Sequence, residues 1–552
     1  MQETARTSGS VTDGRTAPGT APGASPAPDR PTGPSALVAW AAHRPGGQAT
    51  LLLVLAAGAR APSFRQPFWS PDEGYLAAEA VALRHGGRMY GDVVDRKPPL
   101  LPWLYEGCVA IAGSDALWLV RLLAVAALAL TAVVTARLAA RLLGGWAALP
   151  AGVLTVAAST ALPAPDAMAA TFEIFMLPAT ALAVYFGVRR DFLAAGLAVA
   201  VAALTKQVGL APLLPLALHV LAGRRRLREG AALAAGVATP LVVCALATGV
   251  RPFVFWVLLS SGSYAGSPPE ATAVFSHAAG NLLLLLTAFA PFVVLAAPWS
   301  WPDPRRWTRR PPPQAVHSPG HEAGAFRAAP GTGRTVRSWL LASAAGVTVG
   351  YHFYGHYFLQ LIPPAVLLAL QGVGAACPST YARRHRPWWT VRRAGRARTA
   401  AAAAGCALVV AGGWTVGALG SRPPEMETNA VVAAAVDTYS TPDQRVFLWG
   451  MHPEVYWLAD RRPASRFLTA GLLTNFSGNG NPRRVGAAYA VPGAWPTLRR
   501  ELAATPACLI VDESAGTPYR MADYPLLKNL LARNYDAVAS VAGTRIYRRA
   551  GC

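Results

Sequence analysis

The 552-residue chain is 53% hydrophobic and only 14% charged, against about 25% charged in an average soluble protein. Its mean hydropathy of +0.31 and its recurrent apolar runs of near-bilayer length exclude a disordered chain or a single soluble globule, and predict a polytopic membrane protein. The net charge of +22 gathers in short arginine-rich segments between apolar runs, as cytoplasmic loops require, so no nucleic-acid partner is expected.

In chain order, residues 1–36 are rich in Pro, Gly, Ala, Ser and Thr and cannot bury a core; they read as a disordered cytoplasmic tail. No charged start followed by an apolar run and cleavage site occurs there, so no removable signal peptide is expected. Residues 37–420 read as a transmembrane domain of about eleven helices. The spans are Gln48–Ala61, Leu117–Leu138, Trp146–Leu162, Phe172–Val188, Phe192–Leu204, Val208–Leu221, Ala231–Thr248, His277–Ala297, Ser338–Tyr351, Phe358–Ala376 and Ala400–Leu419. Arg189–Arg190, Arg224–Arg228 and the Arg305–Arg337 and Arg383–Arg398 segments then fall on the cytoplasmic side. The first loop, about 62–115, and the connectors around Asp166, Lys206, Arg251 and Tyr354 fall on the other side.

An odd number of spans also puts residues 421–552 outside the cell, as a small α/β domain. Its predicted strands are Val446–Trp449, Cys508–Val511 and Val538–Tyr547, with helices near Pro453–Leu458 and Leu526–Ala532. The six cysteines form no Cys-x-x-Cys pair, so neither a zinc site nor a disulfide framework is signalled, and pairing of Cys508 with Cys552 stays open.

The first loop carries most of the chemistry. Ser70-Pro71-Asp72-Glu73 is a helix start with Ser70 as N-cap and Glu73 closing a capping box. The helix that follows, Glu73–Arg84, is expected to lie along the membrane surface. Asp95-Arg96-Lys97 then precedes the rigid Pro98-Pro99, which opens a second surface helix, Leu100–Ala112. One loop thus presents carboxylates and cations at the outer leaflet. A reaction on an anionic lipid needs that combination: a base for the nucleophile and positive charge for a phosphate.

Elsewhere, Asp166 and Glu173 lie on one outer connector, and Glu173 stands among apolar neighbours where an ionised carboxylate is costly unless it faces a polar cavity. Only Lys97, Lys206 and Lys528 among the 50 basic residues are lysine, and two of these fall where a phosphate would be held. Tyr351-His352-Phe353-Tyr354-Gly355-His356-Tyr357 is an aromatic outer connector. In the tail, Trp449–Glu454 and Ala464–Phe467 stand out, yet no Gly-x-Ser-x-Gly elbow supports a hydrolase. No P-loop and no strand-linked Gly-x-Gly-x-x-Gly is present.

A first-loop Asp-Glu opening a helix, followed by Asp-x-Lys-Pro-Pro, resembles the GT-C membrane glycosyltransferases, in particular the protein O-mannosyltransferase and lipid A aminoarabinose transferase branch. The likeness includes Thr171-Phe172-Glu173 and His356–Pro364 and covers roughly residues 48–420. It implies a polyprenyl-phosphate sugar donor, a lipid, polysaccharide or protein acceptor, and inverting transfer at the outer face of the cell membrane.

By position it implies that Asp72 is the general base and that Glu73 supports it. Lys97, with Arg96, Lys206, His356 and Tyr357, would bind the donor phosphate. Asp166, Glu173 and Asp95 would support these groups or meet the acceptor. No cofactor is required, although Asp72, Glu73 and Asp166 could also hold a divalent cation. The alternative is a lipid transporter or flippase, which predicts midplane charges and repeat symmetry that the sequence lacks.

Overall fold

The computed structural model describes residues 45–262, 271–272, 274–280, 283, 290, 331–376, 404–405, 408, 411–420, 424–476 and 482–552. The expected tail 1–36, most of the span His277–Ala297, residues 305–330, the Arg383–Arg398 segment and much of Ala400–Leu419 lie outside the described residues.

Apolar stretches bounded by Gly, Pro or charge become helices. Phe172–Val188 and Leu100–Ala112 form as expected to the residue, and Phe192–Thr205 gains one. Ala116–Leu143 and Arg226–Thr248 run past the predicted ends, because their arginines continue the helix beyond the apolar stretch. Among the described residues, Ala116–Leu143, Arg226–Thr248 and Gly355–Gly374 are long and apolar enough to cross a membrane, and shorter apolar helices accompany them. Phe192–Thr205 and Arg226–Thr248 cross closely where Gly196 meets Gly236. A Cβ on Gly196 would lie 2.4 Å from the Leu233 carbonyl oxygen, so the crossing depends on small residues.

The first-loop helix corrects an expectation. Pro71–Arg84 does not lie along an open surface, since Glu73, Gly74 and the whole of Leu76–Leu83 are buried in protein. Leu76, Ala77 and Ala80 join the core of the bundle, while Ala78, Ala82 and Leu83 join the core of the C-terminal part. Its sequence is apolar on both faces, so two partners cover it. Gly74 abuts Glu454 of the tail, where a Cβ would come within 2.6 Å of the Glu454 carboxylate.

Residues 424–476 and 482–552 fold around a five-stranded sheet. The strands are β1 Arg445–Trp449, β2 Arg462–Pro463, β3 Leu509–Asp512, β4 Tyr535–Val541 and β5 Thr544–Arg549. β1 pairs in parallel with β2 and β3, and β5 runs antiparallel between β3 and β4. The single strand expected over Val538–Tyr547 is a hairpin. Ala542 and Gly543 both take positive φ, 49° and 82°, and reverse the chain. Ala-Gly is a poor advertisement for such a turn beside Asn-Gly, which is why the run read as continuous.

The question of Cys508 and Cys552 is answered by a disulfide between them, 44 residues apart in sequence. It ties the start of β3 to the residues after β5. A cross-link over that separation restricts the unfolded chain by about 4 kcal/mol in the loop-entropy account. Cys508→Ser should therefore lower the melting temperature of the tail by on the order of 10 °C. The check is thermal unfolding with and without reductant, where the variant should no longer respond to reductant.

Candidate active site

Segments far apart in sequence meet at one place beside the first loop. Asp72 stands in the first turn of Pro71–Arg84, where the helix N-terminus favours negative charge. Its Oδ1 accepts a hydrogen bond from Lys97 Nζ at 2.9 Å, and its Oδ2 lies 3.8 Å from His356 Nε2. His356 Nδ1 lies 3.0 Å from Asp166 Oδ1, which also accepts the His356 backbone N–H at 2.8 Å. Asp166 can come this close because residue 355 is glycine; a Cβ there would sit 2.2 Å from Asp166 Oδ2. A chain Lys97–Asp72–His356–Asp166 results.

Beside it, Lys206 Nζ donates to Glu173 Oε1 and lies 4.0 Å from the centroid of the Tyr357 ring. Tyr357 in turn meets His356 edge-on, with ring centroids 4.9 Å apart. Lys206 is largely enclosed and neutralises the buried Glu173. Lys97 Nζ rests 4.4 Å from the centroid of Phe172. The site alternates anions and cations and keeps aromatic faces against both ammonium groups.

Burial alone would raise the Asp72 carboxyl, but the Lys97 ammonium, His356 and Lys206 outweigh it and hold it well below the usual carboxylate range. Lys97 is correspondingly held above the ordinary lysine range, since Asp72 and Asp95 together overcome its burial. Glu79, seven residues after Asp72, is wholly enclosed. Burial, with Asp95 adding to it, pushes its carboxyl well above the ordinary range.

The connector that carries Asp166 and Glu173 is held by groups the sequence did not single out. Arg60 donates to the carbonyls of Ala167, Met168 and Ala169 at 2.7–3.0 Å, and the Tyr105 hydroxyl donates to Ala170 at 2.8 Å. Glu73 belongs to this clamp. Its Oε1 accepts the Ala170 N–H at 2.7 Å and its Oε2 the Trp69 N–H at 2.5 Å. Glu73 is thus turned away from Lys97 toward backbone, and Ser70 makes no side-chain cap, so the expected capping box does not form. Asp95 Oδ1 accepts the Arg96 N–H at 2.6 Å, and Arg96 Nε donates to Ser260 Oγ at 3.3 Å.

Asp72, Glu73 and Asp166 face Lys97, backbone and His356 respectively, so they do not converge on one point as ligands of a divalent ion would. Among the described residues no group of three or more His, Cys, Asp or Glu side chains is arranged to hold a metal. In the tail, His452 Nδ1 lies 3.2 Å from Glu513 Oε2, whereas Ser465 Oγ donates to Glu501 at 2.8 Å. A Ser/His/Glu hydrolase centre is therefore not assembled from these residues.

Residues 96–248 match the dolichyl-phosphate-mannose-protein mannosyltransferase family. The crystal structure of ArnT from Cupriavidus metallidurans bound to undecaprenyl phosphate is similar over 92% of this chain and 98% of that one, with 17% identity and a TM-score of 0.54. This is the GT-C glycosyltransferase fold. The oligosaccharyltransferase of Archaeoglobus fulgidus aligns over 91% of this chain and 73% of that one, at 12% identity and a TM-score of 0.47. Among curated proteins, no sequence matches this chain. The matched segment contains Lys97, Asp166, Glu173 and Lys206; the GT-C fold brings Asp72 and His356, which lie outside it, to the same place.

All four connectors expected on the first loop's side reach that loop or its site. Asp166, Lys206 and His356 do so through the contacts above, and the connector at Arg251 does so through Phe253, which packs edge-on to Tyr90 at 6.3 Å.

Proposed function

We propose that this chain is an inverting glycosyltransferase that moves a sugar from a polyprenyl-phosphate donor to an acceptor hydroxyl at the outer face of the cell membrane. The observation that carries this reading is the Asp72–Lys97 pair at 2.9 Å, with His356 on the other Asp72 oxygen and Lys206 alongside. A carboxylate kept ionised lies beside cations suited to a departing phosphate. The GT-C fold, and the undecaprenyl phosphate bound by the similar ArnT, support a lipid-phosphate donor.

In this reading Asp72 accepts the proton of the acceptor hydroxyl as its oxygen attacks the anomeric carbon. The bond from that carbon to the phosphate oxygen breaks on the opposite face, inverting the configuration. The electron pair stays with the phosphate, which Lys97 and Lys206 neutralise and His356 and Tyr357 hydrogen-bond. A carboxylate of low proton affinity suits a reaction in which the hydroxyl loses its proton late, once the bond to the phosphate is largely broken. Glu73 fixes the helix start that carries Asp72, and Asp166 fixes the ring of His356. Arg96 and Asp95 flank Lys97 and adjust the charge around it.

The disulfide in the tail supports an oxidising, extracytoplasmic location for residues 421–552 and, with the odd number of spans expected from the sequence, a cytoplasmic N-terminus. The acceptor is a lipid, polysaccharide or protein presented on that side. The test is transfer from a panel of labelled polyprenyl-phosphate sugars by the purified protein in vesicles, with the anomeric configuration of the product read by NMR. Transfer with inversion is expected. Retention would overturn the single-displacement mechanism. No transfer, with the lipid moved across the bilayer instead, would favour a flippase.

A further inference from the structure

Lys97 is the residue on which the proposed reaction most depends for its leaving group, yet it sits outside any helix or strand. Two prolines follow it, so neither Pro98 nor Pro99 has an N–H with which to anchor this stretch. Its peptide groups are held by side chains instead. The Lys97 carbonyl accepts from the Tyr90 hydroxyl at 2.8 Å. The Arg96 carbonyl, on the other side of Lys97, accepts from Gln207 Nε2 at 2.8 Å and from Ser261 Oγ.

Gln207 reaches further. Nε2 also approaches the Val257 carbonyl and Ser261 Oγ, both at 3.1 Å. Two carbonyl oxygens around one amide group settle its orientation, because the amide oxygen could only repel them. Val257 lies in a π-helical turn, Val254–Ser260, and Ser261 directly follows it. Gln207 itself follows Lys206, which ends the helix Phe192–Thr205 with an extended backbone, φ −154° and ψ 140°. One amide therefore joins the backbone next to Lys206, the backbone next to Lys97 and the π-helical turn.

We infer that Gln207 is a positioning residue of the transfer reaction, which fixes Lys97 against Asp72 and sets its spacing from Lys206 by holding the Arg96 carbonyl. The inference rests on the glycosyltransferase reading above. Gln207 touches no reacting atom; it acts through Lys97, and π-helical turns are frequent where a fold must aim a functional group. Ser261 and Tyr90 share the task, Ser261 on the same carbonyl and Tyr90 on the next.

The experiment is a double-mutant cycle on transfer by the full-length protein in vesicles. Gln207→Leu keeps the approximate shape and removes the donor. It should lower kcat by roughly 10–100-fold, since small misplacements of a reacting group cost that much, with the melting temperature and amount of folded protein little changed. In a Lys97→Met background the same substitution should cost less than about 2-fold, because the group it positions is gone. An equal loss in both backgrounds, or activity that only tracks the folded fraction, overturns the inference. Should Gln207→Leu fail to fold, Ser261→Ala removes one of the two donors to the same carbonyl and must show the same dependence on Lys97. A wild type that transfers no sugar removes the glycosyltransferase reading and this inference together. An active wild type with an additive cycle removes this inference alone.

Discussion

Asp72→Asn should reduce sugar transfer by about 10²–10⁴-fold, the range for removal of a positioned general base. The substitution keeps shape and size and can still accept from Lys97, so the 2.9 Å contact need not be lost. In the proposed mechanism, what disappears is the capacity to take a proton from the acceptor hydroxyl. Affinity for the bare polyprenyl phosphate should stay within a few-fold or improve, because an anion is removed next to the phosphate and Lys97 remains. The two readouts separate a chemical defect from a folding defect. Undiminished transfer would deny Asp72 the role of base, and His356, held by Asp166 at 3.0 Å, would become the leading candidate.

Lys97→Met is the second large effect, and it has two parts. If Lys97 holds the departing phosphate as proposed, its loss should cost about 10²–10³-fold in kcat, as for other groups that stabilise charge developing in the transition state. It should also change the pH dependence. Lys97 is the leading charge that opposes the burial of Asp72, so in its absence burial drives the Asp72 carboxyl upward. In the wild type Asp72 stays ionised as pH falls through the usual carboxylate range, so its protonation does not limit activity there. In Lys97→Met the carboxylate is lost at a higher pH, and kcat/KM should fall on the acid side where the wild type is flat. A uniform loss with an unmoved acid limb would mean that Lys97 and Asp72 are not coupled as the contact implies.

Much of this site is legible in the sequence because charge is expensive where the chain is apolar. Asp72, Lys97, Glu173 and Lys206 each break an apolar or proline-rich setting, and such residues have to be brought together or solvated. Which residue pairs with which was not legible. Nothing local matches Lys97 to Asp72 across 25 residues, or Asp166 to His356 across 190. Glu73 and Asp72 are neighbours with the same charge, and only the tertiary structure sends one to backbone N–H groups and the other to a lysine. Arg60 and Tyr105 escaped notice because their partners are carbonyl oxygens, which every residue has. The helices were the easier part, since Gly, Pro and charge punctuate them. The turn at Ala542-Gly543 was missed for want of a strong turn residue, and the burial of Pro71–Arg84 because its second partner lies more than 350 residues downstream.

The helix that carries Asp72 is shared between two cores, with Gly74 pressed against Glu454 and Ala78, Ala82 and Leu83 packed into the tail. The tail is thus no detachable module. Replacing it would strip one face of that helix of its packing partners, so a chimaera joined near residue 421 should fold only when the matching face of the helix is exchanged along with it. The same seam couples the tail mechanically to the helix that carries Asp72. A shift of the Glu454 segment would press on Gly74, two residues from Asp72, so the tail and the candidate site are joined through one small patch of contact.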